Sequence, residues 1–291
     1  MPHIGLTGWG DHEDLYPAGT KPKNMLGIYS SYFTVVEVDS SFYAVQPRDR
    51  MARWVSETPG EFQFIVKAYQ GMTGHLRGKP YFSNDDDMYT AFLESIKPMR
   101  EAGKLQAVLF QYPPWFDCTR EHVALLRETR RRMGDIRCAL EFRHQSWFSD
   151  AFKTRTLQFM RDERWIHSIC DEPQVSPGSV PTVLEATDPD LTIVRLHGRN
   201  ASGWQQNGAE NWREVRYLYR YDEAELEDWR QNLLQLSGQS REVSVIFNNN
   251  SGGDAAANAT RLMAMLGQNP KPLVPPDSTQ GEEPPEQLSL F

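Results

Sequence analysis

Val35-Val36-Glu37-Val38-Asp39-Ser40-Ser41-Phe42-Tyr43 and Leu191-Thr192-Ile193-Val194-Arg195-Leu196-His197-Gly198-Arg199 decide how this chain is to be read. Each segment starts apolar on both faces and turns charged only over its last few residues. A strand covered on both sides reads as a continuous apolar run, because neither face reaches water. Charges confined to the C-terminal end therefore mark strands whose far ends open onto something polar. Alternation puts Glu37 and Asp39 on one face of the first segment, and Arg195, His197 and Arg199 on one face of the second.

Six more segments of this kind follow the same pattern: Ile4–Trp9, Phe62–Tyr69, Leu105–Pro113, Arg137–His144, Ile166–Glu172 and Glu242–Asn250. Between the strands, helical spacing predicts helices over Asn24–Phe33, Arg48–Glu57, Asp85–Ala102, Arg120–Met133, Ser149–Glu163, Glu223–Leu236 and Gly253–Leu266. Pro173–Asp190 is Pro-rich and reads as a connection rather than a helix. Strand–helix alternation repeated about eight times is the arithmetic of an α/β chain folded as a single (β/α)8 TIM-type barrel. A doubly wound sheet shares this periodicity and stays open as the alternative, since periodicity does not say whether the sheet closes.

Composition bounds the rest. Hydrophobic residues make up 39%, with 8 Trp, 11 Tyr and 14 Phe, which is enough apolar mass to exclude wholesale disorder. A net charge of −8 excludes a globally basic nucleic-acid coat, though not a local basic site. Cys118, Cys138 and Cys170 form no C-x-x-C pair and read as small hydrophobes in a reducing compartment. No apolar run approaches the ~18 residues that would span a bilayer. The Met1-Pro2-His3-Ile4-Gly5 start lacks the features of a signal peptide, so a cytoplasmic location is expected. Residues 268–291 hold six of the 19 prolines, four acids and one lysine, so the barrel is expected over residues 1–267 and a disordered Pro-rich acidic tail over 268–291.

In a closed barrel, the working residues stand at the C-terminal ends of the strands. Glu37, Asp39, Lys67, Glu141, Asp171 and His197 are the catalytic candidates there. Arg143, Arg195, Arg199, Asn248, Asn249, Asn250 and Gly253 are the candidates for binding a ligand, above all a phosphate. Any one buried charge is commonly a structural ion pair. Charges at nearly every strand end each cost several kcal/mol unless paired or bound to something, and together they predict one polar pocket for an anion.

The turn Asn248-Asn249-Asn250-Ser251-Gly252-Gly253-Asp254 before the last helix offers backbone approach and unpaired N–H groups. Asp254 works against an anion there. Glu37, Glu141, Asp171 and His197 also have the donor types for a divalent metal, although no H-x-H or H-E-x-x-H spacing supports one. Acid–base chemistry by Glu141 or His197 without a metal is equally open. Lys67 reads either as a Schiff-base lysine or as an ion-pair partner of Glu37 or Asp39. Trp147 and Trp204, just past strands, either stack on a base or sugar or cap the barrel mouth.

On these segments the chain resembles the domain-of-unknown-function 72 family, the YecE-type proteins. The matching stretches are Ile4–Trp9, Val36–Tyr43, Trp54 with Thr58-Pro59 and Phe62–Lys67, Phe110–Pro114, Glu141–Trp147, His197–Asn200 with Gly203-Trp204, and Phe247–Asn250 with Gly253–Ala256. The resemblance implies a TIM-type barrel and no particular reaction. Analogy at the level of the fold points to barrel nucleases and sugar isomerases.

Gln287-Leu288-Ser289-Leu290-Phe291 resembles the bacterial sliding-clamp-binding motif. The resemblance implies Leu288, Leu290 and Phe291 as apolar anchors, Gln287 as an amide contact and the DNA polymerase clamp as partner. Three functions follow as expectations. The first is a hydrolase- or nuclease-like enzyme on DNA or a phosphorylated nucleotide, recruited by the clamp. The second is a sugar-phosphate isomerase or hydrolase, and the third a non-catalytic clamp-associated adaptor.

Overall fold

A computed structural model describes residues 1–205 and 215–274. Eight parallel strands, β1 (His3–Thr7), β2 (Val35–Val38), β3 (Gln63–Lys67), β4 (Leu105–Gln111), β5 (Cys138–Glu141), β6 (Trp165–Asp171), β7 (Leu191–Leu196) and β8 (Glu242–Phe247), pair in sequence order. β8 pairs back onto β1, so the sheet closes and the fold is the TIM-type barrel rather than the open doubly wound sheet.

Alternation explains how the strands can be apolar on both faces. In-pointing Val35, Ile65, Ala107, Leu109, Ala139, Ile166, Leu191, Ile193 and Ile246 pack into one cluster inside the barrel. The remaining apolar strand residues, Val36, Val38, Phe64, Val66, Val108 and Phe110 among them, join a larger core under the helices. β1 and β2 approach so closely at Gly5 that a Cβ there would lie 1.9 Å from the Val35 carbonyl oxygen. Beside it, the buried Tyr29 hydroxyl accepts from the Leu6 N–H (2.8 Å) and donates to the Val35 carbonyl (2.9 Å), bridging the two strands.

The helices are α1 (Pro22–Tyr29), α2 (Ser40–Tyr43), α3 (Arg48–Ser56), α4 (Asp85–Glu101), α5 (Arg120–Met133), α6 (Lys153–Asp162), α7 (Ala201–Gln205), α8 (Glu223–Ser237) and α9 (Asp254–Met265). Their starts have physical causes. The Asn84 side chain accepts from the Asp87 N–H before α4, and Asp222 with Glu225 forms a reciprocal cap before α8.

The β6–β7 connection has no helix. Pro173, Pro177, Pro181 and Pro189 deny it backbone donors. It is fastened along β6 by side chains instead: Thr182 donates to the Cys170 carbonyl (2.9 Å), and Thr187 donates to the Trp165 carbonyl (2.7 Å) while accepting from the His167 N–H (2.8 Å).

The chain stays on the barrel past residue 267. Gln268 donates to the Pro2 carbonyl (2.8 Å), the Val274 N–H to the Asp14 carbonyl (2.8 Å), and Leu273 packs against the core. The tail expected from residue 268 therefore has its first part, 268–274, seated on the fold. Residues 275–291, with the whole of Gln287–Phe291, lie outside the described residues. Among the described residues no helix is long and apolar enough to cross a membrane, and all three cysteines are free thiols.

Candidate functional site

The in-pointing positions turn polar together at the C-terminal strand ends. Arg195 of β7 is fully buried and reaches across the barrel. Its Nε and Nη2 donate to the two carboxylate oxygens of Glu37 on β2 (2.8 and 2.7 Å). Its Nη1 donates to Glu141 of β5 (2.8 and 2.9 Å) and, more loosely, to Gln111 of β4 (3.3 Å). Arg143, two residues beyond Glu141, donates from Nε to Glu141 (2.7 Å) and from Nη1 to Glu172 (2.6 Å). Glu141 thus joins two guanidiniums, and Ser168 donates to its other oxygen (3.1 Å). Bidentate, charge-assisted contacts of this kind offset the cost of desolvating the ions.

His197 closes the network. Arg143 Nη2 lies 2.9 Å from its Nε2, and a guanidinium can only donate, so Nε2 is the unprotonated nitrogen. Nδ1 therefore carries the hydrogen. Asn248 Nδ2 stands 2.9 Å from it, and since two donors cannot bond, the amide is assigned the turned orientation in which its oxygen accepts. Burial and then the Arg143 and Arg195 charges hold the imidazole well below its ordinary pKa. His197 is a neutral brace for Arg143, with both nitrogens engaged.

Burial alone would raise the Glu141 carboxyl, but the Arg143 and Arg195 guanidiniums outweigh it and hold it well below the usual range. Glu172 goes the other way. Burial lifts it to about 7, against the attraction of Arg143. The folded chain then keeps a proton that the unfolded chain releases near pH ~4.3. This group therefore stabilises the fold fully below that pH, and its contribution fades as pH rises towards 7. Glu172→Gln removes the fade, so its stability relative to the parent chain is expected to rise by about 2–3 kcal/mol between pH 5 and pH 8. Urea unfolding at the two pH values checks this. A constant difference would mean that Glu172 stays ionised throughout.

Above the network, Lys67 at the end of β3 pairs with Asp39 at 2.7 Å, with side-chain exposures of 12% and 29%. Burial would lower the lysine, yet Asp39 and Glu37 raise it above its ordinary value despite Arg195. Lys67 is therefore a locked ammonium, which removes the Schiff-base reading and leaves the ion-pair one. Asp39, Lys67 and Gln111 are partly open to solvent at the mouth.

Glu37, Asp39, Lys67, Glu141, Arg143, Arg195, His197 and Asn248 thus share one end of the barrel interior. Five other expected residues do not join them. Asp171 is on the opposite face of β6 from Cys170 and Glu172. It receives Trp229 Nε1 of α8 and Arg199 Nε, each at 3.0 Å. Arg199 reaches outward to Asp171 and Glu225, because Gly198 at φ +81° breaks the alternation after His197. Asn249 also faces out, donating to the Tyr219 carbonyl and to Asn258 of α9 (2.8 and 2.9 Å). Gly253, at φ +76°, lies at the start of α9, where Asp254 already brings a carboxylate paired with Arg220. Asn250 holds this turn through its carbonyl, which accepts from the Gly253 N–H at 3.1 Å.

Trp147 is buried, parallel to Phe142 at 4.0 Å, and is core. Trp204 is buried with the Arg143 and Arg216 guanidiniums 5.4 and 3.9 Å from its ring, and caps the network.

The expected metal set is not assembled, since Asp171 faces away. Glu141, Cys170 and His197 do bring donor atoms within 4.8 Å of one another. They suit a cation poorly. Two guanidiniums bond Glu141, Arg143 occupies His197 Nε2, and burial with the nearby Glu141 pushes the Cys170 thiol well up. Sequence reasoning also missed Glu172, His75, Trp115 and Arg216. Glu172 adjoins Asp171 in a strand apolar on both faces, so polarity did not reveal which residue points inward. The other three lie in connections without periodicity.

Family and fold comparisons agree with this architecture. The sequence model described as "Protein of unknown function DUF72" matches residues 3–284. The UPF0759 protein YunF of Bacillus subtilis (strain 168) is 57% identical over 267 residues, covering 91% of this chain and 95% of YunF. YecE of Escherichia coli (strain K12), another UPF0759 protein, is 26% identical over 212 residues, covering 67% and 74%. A crystal structure of a DUF72 family protein from Enterococcus faecalis V583 superposes with a TM-score of 0.88 at 39% identity, covering 95% of this chain and 99% of that one. One from Thermotoga maritima MSB8 superposes at 0.77 with 28% identity, covering 92% and 100%. With the match running through all eight strands, the chain belongs to the DUF72 family.

Proposed function

We propose that this protein is an enzyme that hydrolyses a phosphate ester of nucleotide size at the barrel mouth, and that its terminal pentapeptide docks on the bacterial sliding clamp. The observation that carries the reading is the ion pair of Lys67 and Asp39, partly open to solvent, at the same strand ends as the fully buried Arg143 and Arg195. Lys67, Arg143, Arg195 and Arg216 meet Glu37, Asp39, Glu141 and Glu172. Since Glu172 titrates near 7, the cations are in slight excess at neutral pH, which favours an anion. Lys67 would orient the phosphoryl group and Asp39 would take a proton from the attacking water. As the water oxygen bonds to phosphorus the ester P–O bond breaks, and the leaving alkoxide takes a proton from solvent at the open mouth. The size limit comes from the rim. Arg199 and Arg220 are tied to carboxylates, so a duplex backbone would release few counterions there.

A second reading, the non-catalytic clamp adaptor, is favoured by the way the chain's own side chains fill the barrel beneath Lys67. Turnover separates the two. Labelled single-stranded, nicked and duplex oligonucleotides, deoxynucleoside monophosphates and pentose phosphates are incubated with the full chain, and products are separated by chromatography. Release of phosphate or nucleotide is expected, falling about 100-fold or more in Lys67→Met and in Asp39→Asn while both variants unfold cooperatively. Turnover of pentose phosphates alone would favour the sugar-phosphate enzyme. No turnover by a folded chain would leave the adaptor.

A further inference from the structure

We infer that the β2–β4 side of the mouth is a stacking platform for a planar heteroaromatic ring of nucleobase size, built from Phe42 and Tyr43 of α2, His75 after β3 and Trp115 after β4. This rests on the proposed anion site at Lys67 and names the other half of its ligand. The rings form a continuous chain. Tyr43 meets Phe42 at 5.3 Å, Phe42 meets His75 at 5.1 Å and His75 meets Trp115 at 6.0 Å, all edge to face. Both ends are open to solvent, Tyr43 at 53% and Trp115 at 54% exposure, so each leaves ring surface that a ligand can reach.

The chain leads to the charge. Lys67 Nζ sits 4.8 Å from the Phe42 ring centre, so an anionic group at Lys67 would put an attached ring over these aromatics. Arg77 lies 5.4 Å from the Trp115 ring and adds positive charge at the outer end. Burial, Lys67, Arg143 and Arg77 lower His75 to about 4, so its imidazole is neutral and presents an aromatic surface rather than a cation. Its Nδ1 is 2.9 Å from the Thr73 hydroxyl, which fixes the ring's orientation. Aromatic side chains beside a cation are how proteins hold a base without reading its edge.

Calorimetric titration of the full chain with deoxyadenosine 5′-monophosphate, ribose 5-phosphate and inorganic phosphate tests the inference. The nucleotide is expected to bind about 5- to 100-fold more tightly than ribose 5-phosphate, the range that stacking one base supplies. Trp115→Ala should bring the nucleotide down to the level of ribose 5-phosphate, and Trp115→Phe should retain most of the advantage. Equal affinity for the two in the parent chain, or an advantage that survives Trp115→Ala, would overturn the platform while leaving the anion site standing. If none of the three probes binds, the anion site fails as well.

Discussion

Arg195→Met is expected to destabilise the barrel by about 3–5 kcal/mol, the cost of leaving a buried ion without its partner. Glu37 is the reason. It is fully buried, its two oxygens take the two hydrogen bonds from Arg195, and the next cation, Lys67, is engaged by Asp39. Glu141 suffers less, because Arg143 still bonds it. The double variant Glu37→Gln/Arg195→Met should therefore recover a large part of the loss, since an amide leaves no unpaired charge. Urea unfolding of the parent, both single variants and the double variant at pH 7.5 gives the coupling energy. A loss below about 1 kcal/mol in Arg195→Met would show that Glu37 takes up a proton at little cost. The same cycle separates support from contact. Arg195 is the floor of the site, so its loss should lower stability, whereas loss of the partly exposed Lys67 should lower function first.

How much of this was legible in sequence depends on whether polarity had a period to ride on. The strands were legible because a buried parallel strand has nowhere to put a charge except its end. Glu37, Lys67, Glu141, Arg195 and His197 could therefore be assigned to one mouth. The same logic failed where the alternation stops or has nothing to mark it. Gly198 turns the chain before Arg199, and along β6 apolar side chains on both faces hide the fact that Glu172 rather than Asp171 points in. Asn248 and Asn249 are alike in composition, yet one bonds His197 and the other Asn258. Exposed loop aromatics such as Trp115 and buried ones such as Trp147 read identically, because only packing tells them apart. The contacts that 268–274 make with the barrel were not legible for a related reason. Composition averages over residues 268–274, in which Leu273 and a few hydrogen bonds suffice to seat the segment.

The full chain is expected to bind a bacterial sliding clamp with about micromolar affinity, and ending the chain at Glu286 is expected to abolish that binding. The affinity follows from the ligand's size. A pentapeptide offers three apolar anchors and must be ordered as it binds, so about 8 kcal/mol is a reasonable total. Leu290 and Phe291 should dominate, each costing more than tenfold when changed to Ala, because buried large side chains concentrate binding energy. Ser289→Ala should stay within about twofold. Twelve residues separate Val274, the last residue described on the barrel, from Gln287, which bounds the reach at about 40 Å. That is enough to engage a partner without bringing the barrel surface into contact. Barrel variants such as Lys67→Met should accordingly bind the clamp as the parent chain does, while the Glu286 truncation should keep whatever turnover the barrel has. Calorimetric titration of purified clamp with the full chain, the truncation and the point variants reads all of these. Equal binding by full and truncated chains would move the contact to the barrel. No binding by either would remove the replication link and leave a small-molecule enzyme whose tail has another role.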